Sequence, residues 1–93
     1  MTEPVIEQLT FQPASVKPTA DMDGVDVLVY NPCDGWHEGQ VRVFEEDGEV
    51  YDIGIYTFMM HELTPHTFYV AWAVLPDGLK LGEHFAAEKG WRP

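Results

Sequence analysis

Alternation of apolar and polar residues with a period near two is the feature of this 93-residue chain that most restricts its fold. The clearest case is Val25 to Tyr30, where valines occupy one face and Leu28 and Tyr30 the other. Successive side chains of a β-strand point to opposite faces, so this period indicates strands. Clusters of Gly and Pro recur roughly every ten residues, the spacing of turns in small antiparallel folds. The sequence therefore predicts an all-β or β-rich α+β fold.

Five strands are predicted, and the first and last residues predicted for each are Val5 to Phe11, Val25 to Tyr30, Trp36 to Phe44, Glu49 to Tyr56 and Thr67 to Leu75. Gly, Pro, Asn and Asp mark turns at 31–35, 45–48 and 76–78. Residues 57–66 are interpreted as a loop with a short turn of helix. The C-terminal stretch is interpreted as a short strand or a helix around Glu83 to Lys89. These elements predict a single domain, residues 1–93, that forms a five-stranded bent antiparallel sheet or small barrel, with an open sheet backed by a short helix as the second architecture.

Charge is the second constraint, because the formal net charge is −11. Twelve acidic residues and one basic residue, Arg42, lie between Pro18 and Leu79. A field of one sign repels itself and attracts cationic partners. Anionic lipid and nucleic-acid backbones both require Lys and Arg to neutralise phosphate. Direct binding to a membrane or to nucleic acid is therefore not expected.

No signal peptide or membrane-spanning segment is predicted, since the chain has neither a basic n-region nor a long apolar run. Cys33 is the single cysteine, so no internal disulfide can form. A cytoplasmic location is the expectation.

The acidic residues fall into two groups, one before and within the strand at 25–30 and one around the turn at 45–48. Carboxylates two residues apart on a strand project to one face about 6.8 Å apart. Two successive phosphates of one DNA strand span nearly the same length, at about 3.4 Å each. We therefore expect an acidic face that mimics nucleic acid. The candidate partner-binding residues are Asp21, Asp23, Asp26, Glu45, Glu46, Asp47, Glu49 and Asp52.

Metal and catalytic chemistry find less support in the sequence. Cys33 and His37, followed by His61 and His66, have spacings reminiscent of zinc ligands, but structural zinc sites are usually richer in Cys. Residues 21–26 resemble a calcium loop that lacks its closing Glu. Cys33 has no basic neighbour, so a reactive thiol is not expected. No metal, cofactor or catalytic residue is predicted, and a non-enzymatic protein is expected.

Seven Trp and Tyr residues form another notable set, and most are expected in the core. Any that lie exposed beside the acidic hairpin would supply rigid anchors for a protein interface, and Met59 and Met60 are adaptable groups with the same use. The set is Trp36, Trp72, Trp91, Tyr30, Tyr51, Tyr56 and Tyr69.

Two segments of the chain form a recognisable pattern. The first runs from Pro18 to Gly24 into Val27-Leu28-Val29-Tyr30, with Asp34-Gly35-Trp36 just after, and the second is Trp72-Ala73-Val74-Leu75-Pro76-Asp77. Together they resemble a family of small phage and prophage proteins of unknown function. The family carries His before that Trp and Met-Pro after it, where this chain has Ala71, Ala73 and Val74, so no role of that His transfers. The resemblance implies an origin in a phage or mobile element and no known activity.

These features favour a small acidic phage-type inhibitor that binds a basic nucleic-acid-handling protein in the host cytoplasm. A CRISPR effector, which would make it an anti-CRISPR, a restriction enzyme and a polymerase are examples of such a partner. The alternative is an accessory or structural phage protein that self-assembles, without nucleic-acid mimicry, through an unpaired strand edge or residues 79–93. A homodimer is compatible with either interpretation.

Overall fold

The computed structural model describes residues 3–86. Five strands form one antiparallel sheet in the order β1-β5-β2-β3-β4, curled into a half-barrel, with one short C-terminal helix. The predicted five-stranded antiparallel fold is confirmed. The elements are β1 (Phe11–Pro13), a 3-10 turn (Ala20–Met22), β2 (Asp26–Asn31), β3 (Gly35–Glu46), β4 (Glu49–Tyr56), β5 (Ala71–Val74) and α1 (Leu79–Phe85).

The meander formed by β2, β3 and β4 follows the predicted turn signals. Asn31 Oδ1 accepts the backbone N–H groups of Cys33 and Asp34 at 2.7 and 2.9 Å. Between β3 and β4 the chain reverses at Asp47 and Gly48, which have φ values of 52° and 81°. Two successive positive φ values are those of a two-residue type I′ hairpin, whose twist matches that of the flanking strands.

The first strand differs from the prediction of residues 5–11. β1 begins at Phe11 and pairs with β5 from Phe11 opposite Ala73 to Pro13 opposite Ala71. Because β5 ends at Val74 and Pro76 follows, the residues before Phe11 have almost no strand left to pair with. The ladder therefore stops where its partner stops.

β5 is also shorter than the predicted strand at 67–75. The carbonyl of Thr64 accepts the N–H groups of Phe68 and Tyr69 at 2.8 and 3.4 Å, which closes residues 64–69 into a compact turn. This turn buries Tyr69 and half-buries Phe68 against the sheet. Residues 57–66 contain turns and isolated bridges but no helical turn, contrary to expectation.

The C-terminal helix begins four residues earlier than predicted. Asp77 Oδ1 accepts the N–H of Leu79 at 3.0 Å, and Gly78 reverses the chain with a φ of 79°. The predicted helix from 83 to 89 overlaps α1 only at its first residues, and its remainder from 87 lies outside the described residues. Within residues 3–86, no helix has the length and apolarity needed to cross a membrane.

The core lies on one face of the sheet, called here the inner face. Val27 and Val29 of β2 share it with Val41 of β3 and Ile55 of β4, and all four are fully buried. Val41 lies directly opposite Ile55 in the β3–β4 ladder. The opposite, outer face carries Leu28 and Tyr30, as the alternation in this strand predicted.

Two loops cover the inner face. Residues 14–24 contribute the buried Ala14, and residues 57–70 contribute Leu63 and Tyr69. The indole Nε1 of Trp72 donates to the carbonyl of Val16 at 2.9 Å, which ties the first loop to β5. Within residues 3–86, the core is thus closed by loops and not by a second layer of secondary structure.

Gly39 of β3 allows Ile55 and Leu63 to pack directly against the β3 backbone. A Cβ atom there would lie 2.6 Å from Ile55 Cγ2 and 3.1 Å from Leu63 Cδ1. We predict that Gly39→Ala lowers the free energy of unfolding by about 1–3 kcal/mol through overpacking, as measured by urea denaturation.

Gly82→Ala in α1 is the matched control, because a Cβ there meets nothing within 4 Å. It should leave stability unchanged or raise it by up to about 1 kcal/mol. A Gly39→Ala protein as stable as the native chain would refute the proposed closeness of β3, β4 and Leu63.

Candidate acidic binding surface

The two acidic groups of the sequence meet around the second half of β3, residues 40–46. Asp26 is paired with Gln40, Asp23 bonds to Val43, and Asp52 is paired with Phe44. Seven residues of strand measure about 20 Å from first to last. All eight predicted partner-binding residues are exposed around this stretch and its turn, and they are called here the acidic end: Asp21, Asp23, Asp26, Glu45, Glu46, Asp47, Glu49 and Asp52.

The first group is fixed to β3 by hydrogen bonds that continue the β2 ladder. Gly24 N–H donates to the carbonyl of Val41 at 2.8 Å. Asp23 Oδ1 accepts the N–H of Val43 at 2.9 Å, so a carboxylate takes the place of a backbone carbonyl. Asp26 Oδ1 accepts from Gln40 Nε2 at 3.3 Å, and Asp21 accepts from Thr19 Oγ1. These three carboxylates therefore hold the local structure as well as carrying charge.

The second group, on the β3–β4 hairpin, makes no such side-chain bonds with the described residues. Among residues 3–86, no ion pair is formed by Glu45, Glu46, Asp47, Glu49 or Asp52. Glu46 lies directly opposite Glu49 in the last pair before the turn. Like charges in directly opposed positions destabilise an antiparallel pair. The hairpin therefore presents charge to solvent at a cost to its own stability.

A β-bulge directs more of this hairpin to the outer face. The register shifts between Phe44, opposite Asp52, and Glu45, opposite Val50, so Tyr51 is the extra residue. The ring of Tyr51 lies 6.3 Å from that of Phe44. Tyr51 and its neighbour Asp52 therefore share the outer face with Phe44, as expected where two bulged residues oppose one.

Glu38 is an outer-face carboxylate that sequence reasoning missed. It is exposed and lies opposite Leu28, an outer-face residue. The sequence did contain a signal for this position. Glu38 lies in the predicted strand at 36–44, two residues from Gln40, and residues two apart on a strand share a face. With Asp26, Glu46, Glu49 and Asp52, it places five carboxylates on the outer face.

Few cations balance these charges within residues 3–86. Arg42 is half-buried on the outer face, and no described carboxylate lies within 4.0 Å of its guanidinium. Lys17 lines a shallow cavity of about 220 Å³ with residues 50–53 of β4, also without an ion pair in the described part of the chain. No described cation thus neutralises the acidic end.

The aromatic residues divide between the core and the outer face. Trp72 and Tyr69 are buried as predicted, whereas Trp36 and Tyr51 are exposed, contrary to the expectation that most of the set is core. Trp91 lies outside the described residues. Met59 and Met60 are exposed in the loop after β4.

The residues considered as zinc ligands do not form a metal site within the described residues. Cys33 is exposed in its turn. His37 lies on the inner face, where its ring packs edge-on against Phe68 at 4.9 Å, and its Nε2 is 3.7 Å from Asp34 Oδ2. The described residues bring no three His, Cys, Asp or Glu side chains together in a way that could hold a metal ion.

Comparisons of the chain with protein-family models, curated proteins and solved structures found no match. The resemblance to small phage and prophage proteins stays a prediction.

Two tyrosines are perturbed by burial and by nearby carboxylates. Burial is the main cause that raises the pKa of Tyr56 above 10.0, and Glu62, Asp52 and Tyr51 raise it further. Burial also raises the pKa of Tyr69, with Glu62 as the second cause. The native state therefore holds these protons more tightly than the unfolded chain.

We predict that stability falls as pH rises above 10 through the raised native pKa values, because the unfolded chain loses these protons first. Tyr69→Phe, which cannot ionise, should flatten that fall. The measurement is denaturant unfolding at neutral and alkaline pH, with tyrosinate absorbance followed in parallel. An equally steep fall in the variant would contradict the assignment to Tyr69.

Glu49→Lys tests the repulsion in the hairpin. Replacing a like-charge pair by a Lys opposite Glu46 should raise the free energy of unfolding by a few tenths to about 1 kcal/mol at low salt. The gain should shrink as salt is added, because exposed charges are screened.

Glu7→Lys changes the net charge equally but lies in the exposed segment before β1. It should give the smaller gain, since only the general field is reduced. Equal gains from the two substitutions would show that the hairpin pair carries no special repulsion.

Proposed function

We propose that this protein is a non-enzymatic inhibitor that binds a basic nucleic-acid-handling protein through the acidic end and competes there with nucleic acid. The observation that carries the proposal is the convergence of eight exposed carboxylates, from two separate parts of the chain, around one half of β3. Sequence proximity alone would have left them as two unrelated groups.

The dimensions of the acidic end support mimicry. A surface about 20 Å long corresponds to about six phosphates of one DNA strand, at about 3.4 Å each. Eight carboxylates around that length give a charge density similar to that of the backbone. A groove lined by Lys and Arg that accepts nucleic acid would therefore find a comparable field here.

The cost of this arrangement also favours a binding role. Glu46 faces Glu49, and no described cation pairs with either. Concentrated charge of one sign weakens the compact state, but it raises the association rate with an oppositely charged partner. Fast, salt-sensitive association is the expected behaviour.

The resemblance to small phage and prophage proteins supports a host protein as the partner. A CRISPR effector, a restriction enzyme and a polymerase all bind nucleic acid through basic surfaces. A phage would benefit from inhibiting any of them. The inhibitor would then act in the host cytoplasm.

The test compares two triple variants of equal charge. The hairpin variant replaces three glutamates with Lys, namely Glu45, Glu46 and Glu49. The control variant replaces three exposed glutamates elsewhere with Lys, namely Glu3, Glu7 and Glu83. Each changes the formal net charge from −11 to −5, since three substitutions add six units. Asp47 is left unchanged because its φ of 52° would strain a Lys.

Host proteins that bind the immobilised native chain at about 0.1 M salt should elute at about 1 M salt, where the screening length falls from about 10 to about 3 Å. Excess nucleic acid should elute the same proteins. The hairpin variant should lose this binding by tenfold or more, and the control variant should retain most of it. Binding that is indifferent to salt, or equal in the two variants, would refute mimicry by the acidic end.

Self-assembly is a second candidate function, favoured by α1. Leu79 is largely exposed, and Leu81 and Phe85 line an open cavity of about 770 Å³ along the helix. Apolar surface of this kind is commonly covered by a partner. Light scattering across a range of protein concentrations tests self-assembly. A monomer at all concentrations would exclude it, and a dimer that dissociates in the Leu81→Glu variant would support it.

A further inference from the structure

A second feature of the outer face lies at the other end of β3 from the acidic hairpin. Three aromatic rings meet there, from Phe11 of β1, Tyr30 of β2 and Trp36 of β3, and they are called here the aromatic cap. The rings of Tyr30 and Trp36 lie 4.8 Å apart, and those of Phe11 and Trp36 lie 5.6 Å apart.

Small residues in β5 allow this contact. β5 lies between β1 and β2, and its outer-face residues are Ala71, opposite Pro13 and Tyr30, and Ala73, opposite Phe11 and Leu28. Phe11 and Trp36 can therefore meet across two intervening strands. Ala73 is fully buried.

The cap is both exposed and fixed. Trp36 is 57% exposed and Phe11 is 42% exposed, although each ring is held by a neighbour. A fixed aromatic ring offers contact area at low conformational cost, which is why Trp and Tyr dominate the energy of protein interfaces. Its π face is electron-rich and attracts cations.

One carboxylate lies beside the cap along β3. Glu38 is two residues beyond Trp36 on the same face, about 6.8 Å along the strand. Asp34 is not part of this group, because its Oδ2 lies 3.7 Å from Nε2 of His37, an inner-face residue. Arg42, the nearest described cation on β3, is six residues from Trp36, or about 20 Å. The cap thus combines aromatic faces with the Glu38 carboxylate, which pairs with no described cation.

We propose that the aromatic cap, together with Glu38, binds an arginine side chain of the basic partner. A guanidinium is planar, stacks on aromatic faces and pairs bidentately with a carboxylate, whereas a lysine ammonium does not stack in this way. The inference rests on the proposed function, because it assumes a basic partner, but it assigns a different set of residues. The cap would select arginine while the acidic end supplies the long-range attraction.

Other occupants fit the surroundings less well. A stacked nucleic-acid base would bring its phosphate toward Glu38, in a field that repels anions. A second copy of the chain would bring the two Glu38 carboxylates together across a two-fold axis. Charge complementarity therefore selects a cationic group.

The test uses an oligo-arginine and an oligo-lysine peptide of equal length, with affinities measured by calorimetry at low salt. The native protein should bind the arginine peptide about two- to fivefold more tightly, the range expected for an exposed cation–π contact. Trp36→Leu should abolish this preference while leaving lysine-peptide affinity within about twofold of native. Glu38→Gln should weaken arginine binding without changing the shape of the site.

Phe58→Leu is the matched control, because Phe58 is an exposed aromatic residue outside the cap, at 82% exposure. It should keep the preference for arginine. Phe11→Leu is a second cap variant in case Trp36→Leu fails to fold, as judged by circular dichroism.

The outcomes separate this inference from the proposed function. Equal, salt-sensitive binding of both peptides, or an arginine preference that survives Trp36→Leu and Phe11→Leu, would overturn the role of the cap alone. No salt-sensitive binding of either peptide would overturn both. A mass that doubles with concentration in the native chain but not in Trp36→Leu would show that the cap binds a second copy instead.

Discussion

Pairing of β3 with β2 on one side and β4 on the other is the constraint on which the rest of the structure depends. β3 is the longest strand, Gly35–Glu46, and its register fixes which residues of three strands share a face. It places Val27, Val41 and Ile55 in the core. The same register places acidic residues of β2, β3 and β4 together on the outer face. Folding and charge display are therefore consequences of one set of backbone hydrogen bonds.

This arrangement sets stability against function. The inner face is closed by loops, and four fully buried aliphatic side chains form its centre. A core of this size leaves a small margin of stability. Repulsion at Glu46 and Glu49 reduces that margin, whereas the Asp23 carboxylate adds a hydrogen bond to β3. The acidic residues thus differ, because some hold the fold and others only present charge.

The sequence predicted the fold class and the β2–β4 meander, because strand alternation and turn residues are local signals. It gave β1 and β5 the wrong limits, since their lengths depend on pairing with each other and on the turn at residues 64–69. Both acidic groups were visible, but their proximity was not, because it requires Asp23 to bond to Val43. The aromatic cap was also hidden, since contact of Phe11 with Trp36 depends on strand order.

Convergence of the carboxylates is tested most directly by titrating the native protein with hexaamminecobalt(III), a trivalent cation without vacant ligand positions, while recording amide chemical shifts. If the acidic end is one concentrated field, the largest shifts will cluster in residues 21–26 and 44–52 and will saturate together. Glu3, Glu7 and Glu83 are exposed carboxylates outside that field and serve as internal references. Equal shifts at those residues, or separate saturation of the two acidic segments, would show that the charges do not act as one surface.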